Sequence, residues 1–387
     1  PIAGYFPGTD VTQHNQIDLD QKNMETALAA GDFATATTDY ATGGSSKSGT
    51  TNRTMKGFST SAEGKMYNGS DCAGCPYKTF SAFYDYYEDF DYADKWVSAA
   101  LDGTNMAFSS GRHGPNDFAT LGDAARIEAV KKGTAYMNVW MYVIREFEDA
   151  IDDCTVGCIE CNDDPVHAWD EGVAFYTGTI QQANLAAGGV GASAAGKMVY
   201  ALADKRCENF KTCGSDGTGL AGTSKVNLEL FKEFAVAQSA LQQGSCAAVR
   251  PIVQRVSKLM TVPLIQGTLR YAHPSKRTAS AYVKNNAEGA TFAAAALPLL
   301  HHCSPADAEV VYNHMKINAN GGGANDLSIF TDVKAAFERN YACMKVTCAQ
   351  VGGLWDAAGG VYKAGATPCV DAPTSASGAG TAYMSIA

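Results

Sequence analysis

The stretch DAARIEAVKKGTAYMNVWMYVIREFEDAIDDC, Asp123 to Cys154, places Met137, Trp140, Ile144, Phe147 and Ile151 at helical spacing. A helix this long with so wide an apolar face needs other elements to cover it. The same period predicts helices over 165–182, 193–210, 225–243, 246–272, 278–300, 304–317 and 327–342. Few stretches alternate with period two, so the expected fold is mostly α. Toward the N-terminus, residues 11–44 have helix-forming composition broken at Gly31 and ended by Gly43-Gly44. The following SSKSGTTNRTMKGFSTSAEGKMYNGSDCAGCPY, residues 45–77, reads as a long loop region.

Twelve cysteines accompany two glycosylation sequons, at Asn52 and Asn68, and the combination points to an oxidising compartment. Cys72/Cys75 and Cys158/Cys161 have the spacing of two zinc half-sites, but they lie far apart and leave eight cysteines unexplained. Disulfide staples are therefore the favoured reading, with a connectivity that spacing does not fix. No apolar run is long enough to span a bilayer and no signal-peptide core is recognisable, so a processed, secreted or periplasmic chain is expected. The net charge of -10, without a basic block, excludes a nucleic-acid surface.

The pattern also hints at duplication. VIREFED, Val143 to Asp149, resembles TLRYAHP, Thr268 to Pro274, which sets Arg145 on Arg270 and Glu148 on His273. DEGVAF then resembles AEGATF, setting Glu171 on Glu288. The expected architecture is two pseudo-repeated, disulfide-stapled helical bundles packed together: an N-terminal half at 1–182, a C-terminal half at 183–354 and a tail at 355–387, with the site in the cleft between the halves.

Chemistry concentrates in DDPVHAWDEGVAFYTGTI, Asp163 to Ile180. If Pro165 begins the helix, His167, Asp170 and Glu171 project from its first turns. Imidazole plus carboxylates suits a borderline or hard transition metal, iron or manganese above all. The bland alternative is that His167 and Asp170 cap the helix start while Trp169, Val173 and Phe175 enter the core. Glu148 lies on the edge of the apolar face of its helix and needs an arginine, a metal or a proton, because an unpaired buried carboxylate is costly. His14 and Asp18 form a further His/acid pair, a candidate addition to the metal shell together with Glu288; a solvated helix face is the alternative for the first two. No nucleophile elbow, HExxH or kinase motif occurs, and the glycines at 188–192 follow no strand. An enzyme is not expected.

HAWDEGVAFYTGTI, YALADKRCENFKTC, DGTGLAGTSKVN, LMTVPLIQGTLRYAHPSK and AEGATFAAAALPLLHHCSPADAEVVYNHM resemble the algal low-iron-inducible periplasmic family, the family of the Fea-type iron-assimilation protein and of the iron-starvation-induced phytotransferrins. The similarity runs from about Val11 to Leu354. The resemblance implies capture of ferric iron in the periplasm or at the cell surface, with a carbonate anion assisting, and delivery to a reductase or transporter. The phytotransferrins usually carry a C-terminal membrane anchor, whereas this sequence ends SGAGTAYMSIA, which favours a secreted or periplasmic form or else a truncated chain. Hard ferric iron calls for carboxylate, phenolate and imidazole, and its anion for an arginine. The residues chosen here are His167, Asp170, Glu171 and Glu148 as ligands, Tyr142 or Tyr271 as phenolate, and Arg145 and Arg270 for the anion. The competing reading is a structural or adhesive secreted glycoprotein on the same scaffold without a metal site.

Overall fold

A computed structural model describes residues 2–69, 72–157, 164–180, 198–278, 280–319 and 326–371, together with the backbone of the strand pair at 183–184 and 189–190. The fold is mostly helical, as expected. Helices α1 (Ile17–Ala29), α2 (Phe33–Thr42), α3 (Met55–Thr60), α4 (Ala62–Met66), α5 (Lys78–Tyr87) and α6 (Tyr92–Asp102) precede the long segment of α7 (Asp123–Gly133) and α8 (Trp140–Thr155). A π-helical stretch, Thr134–Val139, joins these last two. Then come α9 (Pro165–Thr177), α10 (Val199–Phe210), α11 (Lys225–Gln242), α12 (Cys246–Ala272), α13 (Tyr282–Cys303), α14 (Pro305–Met315), α15 (Leu327–Met344) and α16 (Cys348–Val351). The strands are two-residue antiparallel pairs: 47–48 with 51–52, 105–106 with 116–117, 183–184 with 189–190 and 355–356 with 361–362.

The long amphipathic segment predicted from Asp123 is realised as α7 to α8, and α9, α12 and α13 cover it. One cluster of buried apolar side chains extends from Ala3 to Ala366 through both halves of the chain. Two buried indoles tie helices together through their N–H groups: Trp140 Nε1 donates to Met260 O at 3.0 Å and Trp169 Nε1 to Phe234 O at 3.1 Å. The first of these carbonyls lies beside the break that Pro263 makes in the hydrogen-bond ladder of α12.

Disulfides join Cys72 to Cys75, Cys154 to Cys246, Cys207 to Cys213, Cys303 to Cys343 and Cys348 to Cys369. The Cys72/Cys75 zinc half-site is thereby removed; Cys158 and Cys161 lie outside the described residues. The Cys154–Cys246 bridge fixes the end of α8 to the start of α12.

The expected loop at 45–77 needs correction, because α3 and α4 lie within it. Thr54 starts α3 by accepting the Gly57 N–H at 2.9 Å, a cap that the Gly- and Ser-rich composition obscured. Asn52 and Asn68 are both exposed in this region.

Candidate metal centre

Helix α9 begins at Pro165, as the sequence predicts, and its cap is Asp164, whose carboxylate accepts the Val166 N–H at 2.7 Å. His167 and Glu171 then stand one turn apart on a single face, with Nε2 of the histidine 3.1 Å from Oε1 of the glutamate. The N-terminal segment crosses this face before α1 starts and brings His14 Nε2 to 3.1 Å from the same oxygen. His14, His167 and Glu171 offer three ligand atoms within 4.8 Å of one another, the one such group among the described residues. The two imidazoles meet edge to face, 5.4 Å between centres.

Arg53 completes the cluster from the segment between α2 and α3. Its Nη2 spans both Glu171 oxygens at 2.9 and 2.7 Å, while Nη1 donates to the Tyr142 hydroxyl at 3.2 Å and lies 3.8 Å from Glu146 Oε1. The approach to Arg53 is fixed by Asp20 of α1, which accepts the backbone N–H groups of Ser45 and Ser46 at 2.9 and 3.1 Å; Arg53 N in turn donates to Ser46 O at 2.9 Å. Glu146 stands one turn after Tyr142 on α8 and takes a 2.7 Å ion pair from Arg145.

Burial sets the protonation of these groups. His14 is only 6% exposed. That desolvation, reinforced by the charges of Arg53 and His167, lowers its pKa to about 4, so it is neutral near pH 7. His167 moves the other way because its hydrogen bond to Glu171 favours the imidazolium. Burial first, then the neighbouring Glu146 charge, raises the Glu171 carboxyl above the usual range. The Nδ1 atom of His167 lies 3.0 Å from Thr9 Oγ1, whose hydroxyl reaches Asp170 at 3.0 Å. With that hydroxyl donating to Asp170, His167 donates through Nδ1, and its Nε2 carries the exchangeable proton that a metal would replace. His14 Nδ1 has no partner, its Nε2 meets the Glu171 carboxylate without hydrogen-bond geometry, and Arg53 Nε is orphaned. Buried polar atoms are rarely left this way, and an added cation and anion would satisfy them.

The remaining sequence candidates fall elsewhere. Asp170 adjoins Glu171 but projects about 100° around the helix, as consecutive helical residues must. Its oxygens accept from Tyr5 Oη at 2.6 Å, Thr9 N at 2.9 Å and Gln238 Nε2 at 3.0 Å, so it anchors the N-terminal segment. Glu148 lies on the far side of α8 from Glu146 and is paired with Arg250 of α12. Asp18 does not join His14, because α1 begins only at Ile17 and the spacing of four spans a turn. Asp18 instead accepts from Thr179 N at 2.9 Å and Oγ1 at 2.8 Å.

Tyr142 borders the site, but its hydroxyl takes bonds from Arg53 and Lys65 at 3.2 Å each, its ring stacks on Phe58 at 3.9 Å, and burial raises its pKa. Arg145 is held by Glu146 and by Asp149, the latter at 2.9 Å. Arg270, Tyr271 and Glu288 belong to a second cluster around Lys132, whose Nζ lies 3.3 Å from Glu288 Oε1. The two arginines assigned to one anion therefore stand in different clusters.

Sequence reasoning missed Arg53 and Glu146. Glu146 had a signal, the Tyr142-x-x-Arg145-Glu146-x-x-Asp149 spacing that collects these groups on one face of α8. Arg53 had none, since a lone arginine in a glycine- and threonine-rich stretch carries no periodicity.

A family model described as Fea1, low iron-inducible periplasmic protein, matches residues 1–358. No curated protein and no solved structure matches the chain. No helix among the described residues is long and apolar enough to cross a membrane.

Proposed function

The chain belongs to the low iron-inducible periplasmic protein family, and on that premise we propose that it captures ferric iron outside the cytoplasm through His14, His167 and Glu171. The observation that carries the reading is the convergence of two imidazoles and a carboxylate from two segments far apart in the sequence, with neither His14 nitrogen in hydrogen-bond geometry although its Nε2 lies 3.1 Å from Glu171. Iron is the cargo, and two nitrogens with one carboxylate leave coordination positions open. Glu146 supplies a second, buried carboxylate whose Oε1 also lacks a hydrogen-bond partner. Arg53, with its free Nε, is the group suited to hold an accompanying carbonate, in place of the Arg145 and Arg270 expected from sequence. His167 is the more exposed imidazole and marks the side of entry.

Binding requires loss of the proton shared by His167 and Glu171, so affinity falls on mild acidification. Delivery of the iron to a reductase or transporter, without catalysis by this chain, completes the proposal. The test is a competition titration with a ferric chelator in bicarbonate buffer. Glu171→Gln should weaken binding by roughly 100-fold or more, since even outer-shell changes cost 10–100-fold. Equal affinities for the variant and the wild type would reject the site, and no ferric binding by the wild type would return the chain to a structural glycoprotein.

A further inference from the structure

The second cluster carries an excess of positive charge that the protein does not neutralise. Arg206 of α10 is 5% exposed, yet its Nε and Nη1 have no hydrogen-bond partner and no carboxylate within ion-pair distance among the described residues. Arg270 of α12 also lacks an acid partner there; its Nη1 donates to the Tyr271 hydroxyl at 2.5 Å. Lys276 likewise takes part in no ion pair among the described residues, and the field of Arg270 reaches it. Glu288, the carboxylate whose field reaches Arg206 and Lys276, is engaged by Lys132 at 3.3 Å, and Lys132 is also paired with Glu128 at 3.2 Å. An uncompensated guanidinium in a protein interior costs several kcal/mol, and a second cation beside it adds to that cost. Burial first, and then Arg270, lower the Arg206 pKa, and the opposing pull of Tyr271 and Glu288 does not offset them.

We infer that Arg206, Arg270 and Lys276 form a binding site for a small oxyanion of the phosphate class, separate from the iron site. Guanidinium groups match two oxygens of one tetrahedral anion, and an ammonium satisfies a third. Three cations without acid partners call for a multiply charged anion. Phosphate, close to a dianion at neutral pH, meets that demand where monovalent bicarbonate does not. Arg270 and Lys276 are only partly buried, so an anion would enter from their side, whereas Arg206 is buried.

The test measures thermal unfolding and calorimetric binding on the metal-free full chain with inorganic phosphate, sulfate or bicarbonate at millimolar concentration. Phosphate should raise the unfolding temperature and bind at one site, with sulfate following it as an anion of similar charge and shape. Arg206→Met and Arg270→Gln should each weaken phosphate binding by about tenfold or more, the scale of a lost charged hydrogen bond. Arg206→Met should fold at least as stably as wild type without phosphate, since it removes an unpaired buried charge. Glu171→Gln should keep the full phosphate response, which separates this site from the iron proposal. A bicarbonate response with none to phosphate, no response to any of the three, or a phosphate response unchanged in both arginine variants would each overturn the assignment.

Discussion

Glu171 on α9 and Glu288 on α13 have similar local settings and opposite company. Each precedes a glycine at which an added Cβ would meet an aromatic side chain of an earlier helix, Phe147 at 2.5 Å from Gly172 and Tyr271 at 2.6 Å from Gly289. Around Glu171 the neighbours are two imidazoles, Arg53 and a second carboxylate, Glu146. Around Glu288 they are Lys132, a phenol and two arginines, with Glu128 pairing the other side of Lys132 at 3.2 Å. Glutamates in like helical settings thus become a metal ligand candidate in one place and part of a cationic cluster in the other. The side chains brought by distant segments decide which.

The largest expected effect breaks the ion pairs. Arg53→Met leaves Glu171 buried without its guanidinium, while Glu146 keeps Arg145, and should cost about 3–5 kcal/mol of folding stability near pH 8, read by chemical denaturation. The cost should shrink toward pH 5, because Glu171, its pKa already raised, escapes by taking a proton. Arg206→Met in the other cluster should cost nothing, and equal losses for the two would erase the contrast.

A smaller effect comes from the glycines. Gly172→Ala and Gly289→Ala should each destabilise by about 1–3 kcal/mol through overpacking, against the Phe147 ring in the first and against Tyr271 Cβ and Met315 in the second. Only Gly172→Ala should also weaken ferric binding, since it shifts α9 against α8 and with it Glu171 against Glu146. An iron affinity that fell equally in both variants would mean that the two clusters act on one site.

The smallest effect is the acid response of the metal-free protein. His14 has a folded pKa of about 4 against 6.5 for the free side chain, so its contribution to stability is present above pH 6.5 and lost as pH falls toward 4. His167 has the opposite sign: its raised pKa stabilises below pH 6.5, and that contribution is lost as pH rises through the folded value. His14→Phe should therefore flatten the fall in unfolding temperature between pH 6.5 and 4. A profile identical to wild type would show that His14 is not buried as a neutral imidazole.

Much of the fold was legible because helix formation is periodic and local. The Asp123 segment, the start of α9 at Pro165 and the span of α12 all follow from spacing and caps within one window of sequence. The short helices at 55–66 escaped because each is little more than a turn, too brief to show a period. The His167–Glu171 pairing was legible for the same reason as the helix, being one turn apart.

What the sequence by itself determined is therefore the helical class, the redox compartment, the family likeness and which side chains share a helix face. Tertiary structure alone decided that Glu146 and not Glu148 faces Glu171, that Asp170 holds the N-terminal segment, and that His14 and Arg53 arrive at Glu171, the latter from 118 positions away. The physical reason is that a helix specifies directions around its own axis, whereas the charge a buried carboxylate meets depends on loops whose paths are fixed by packing and hydrogen bonds to remote partners.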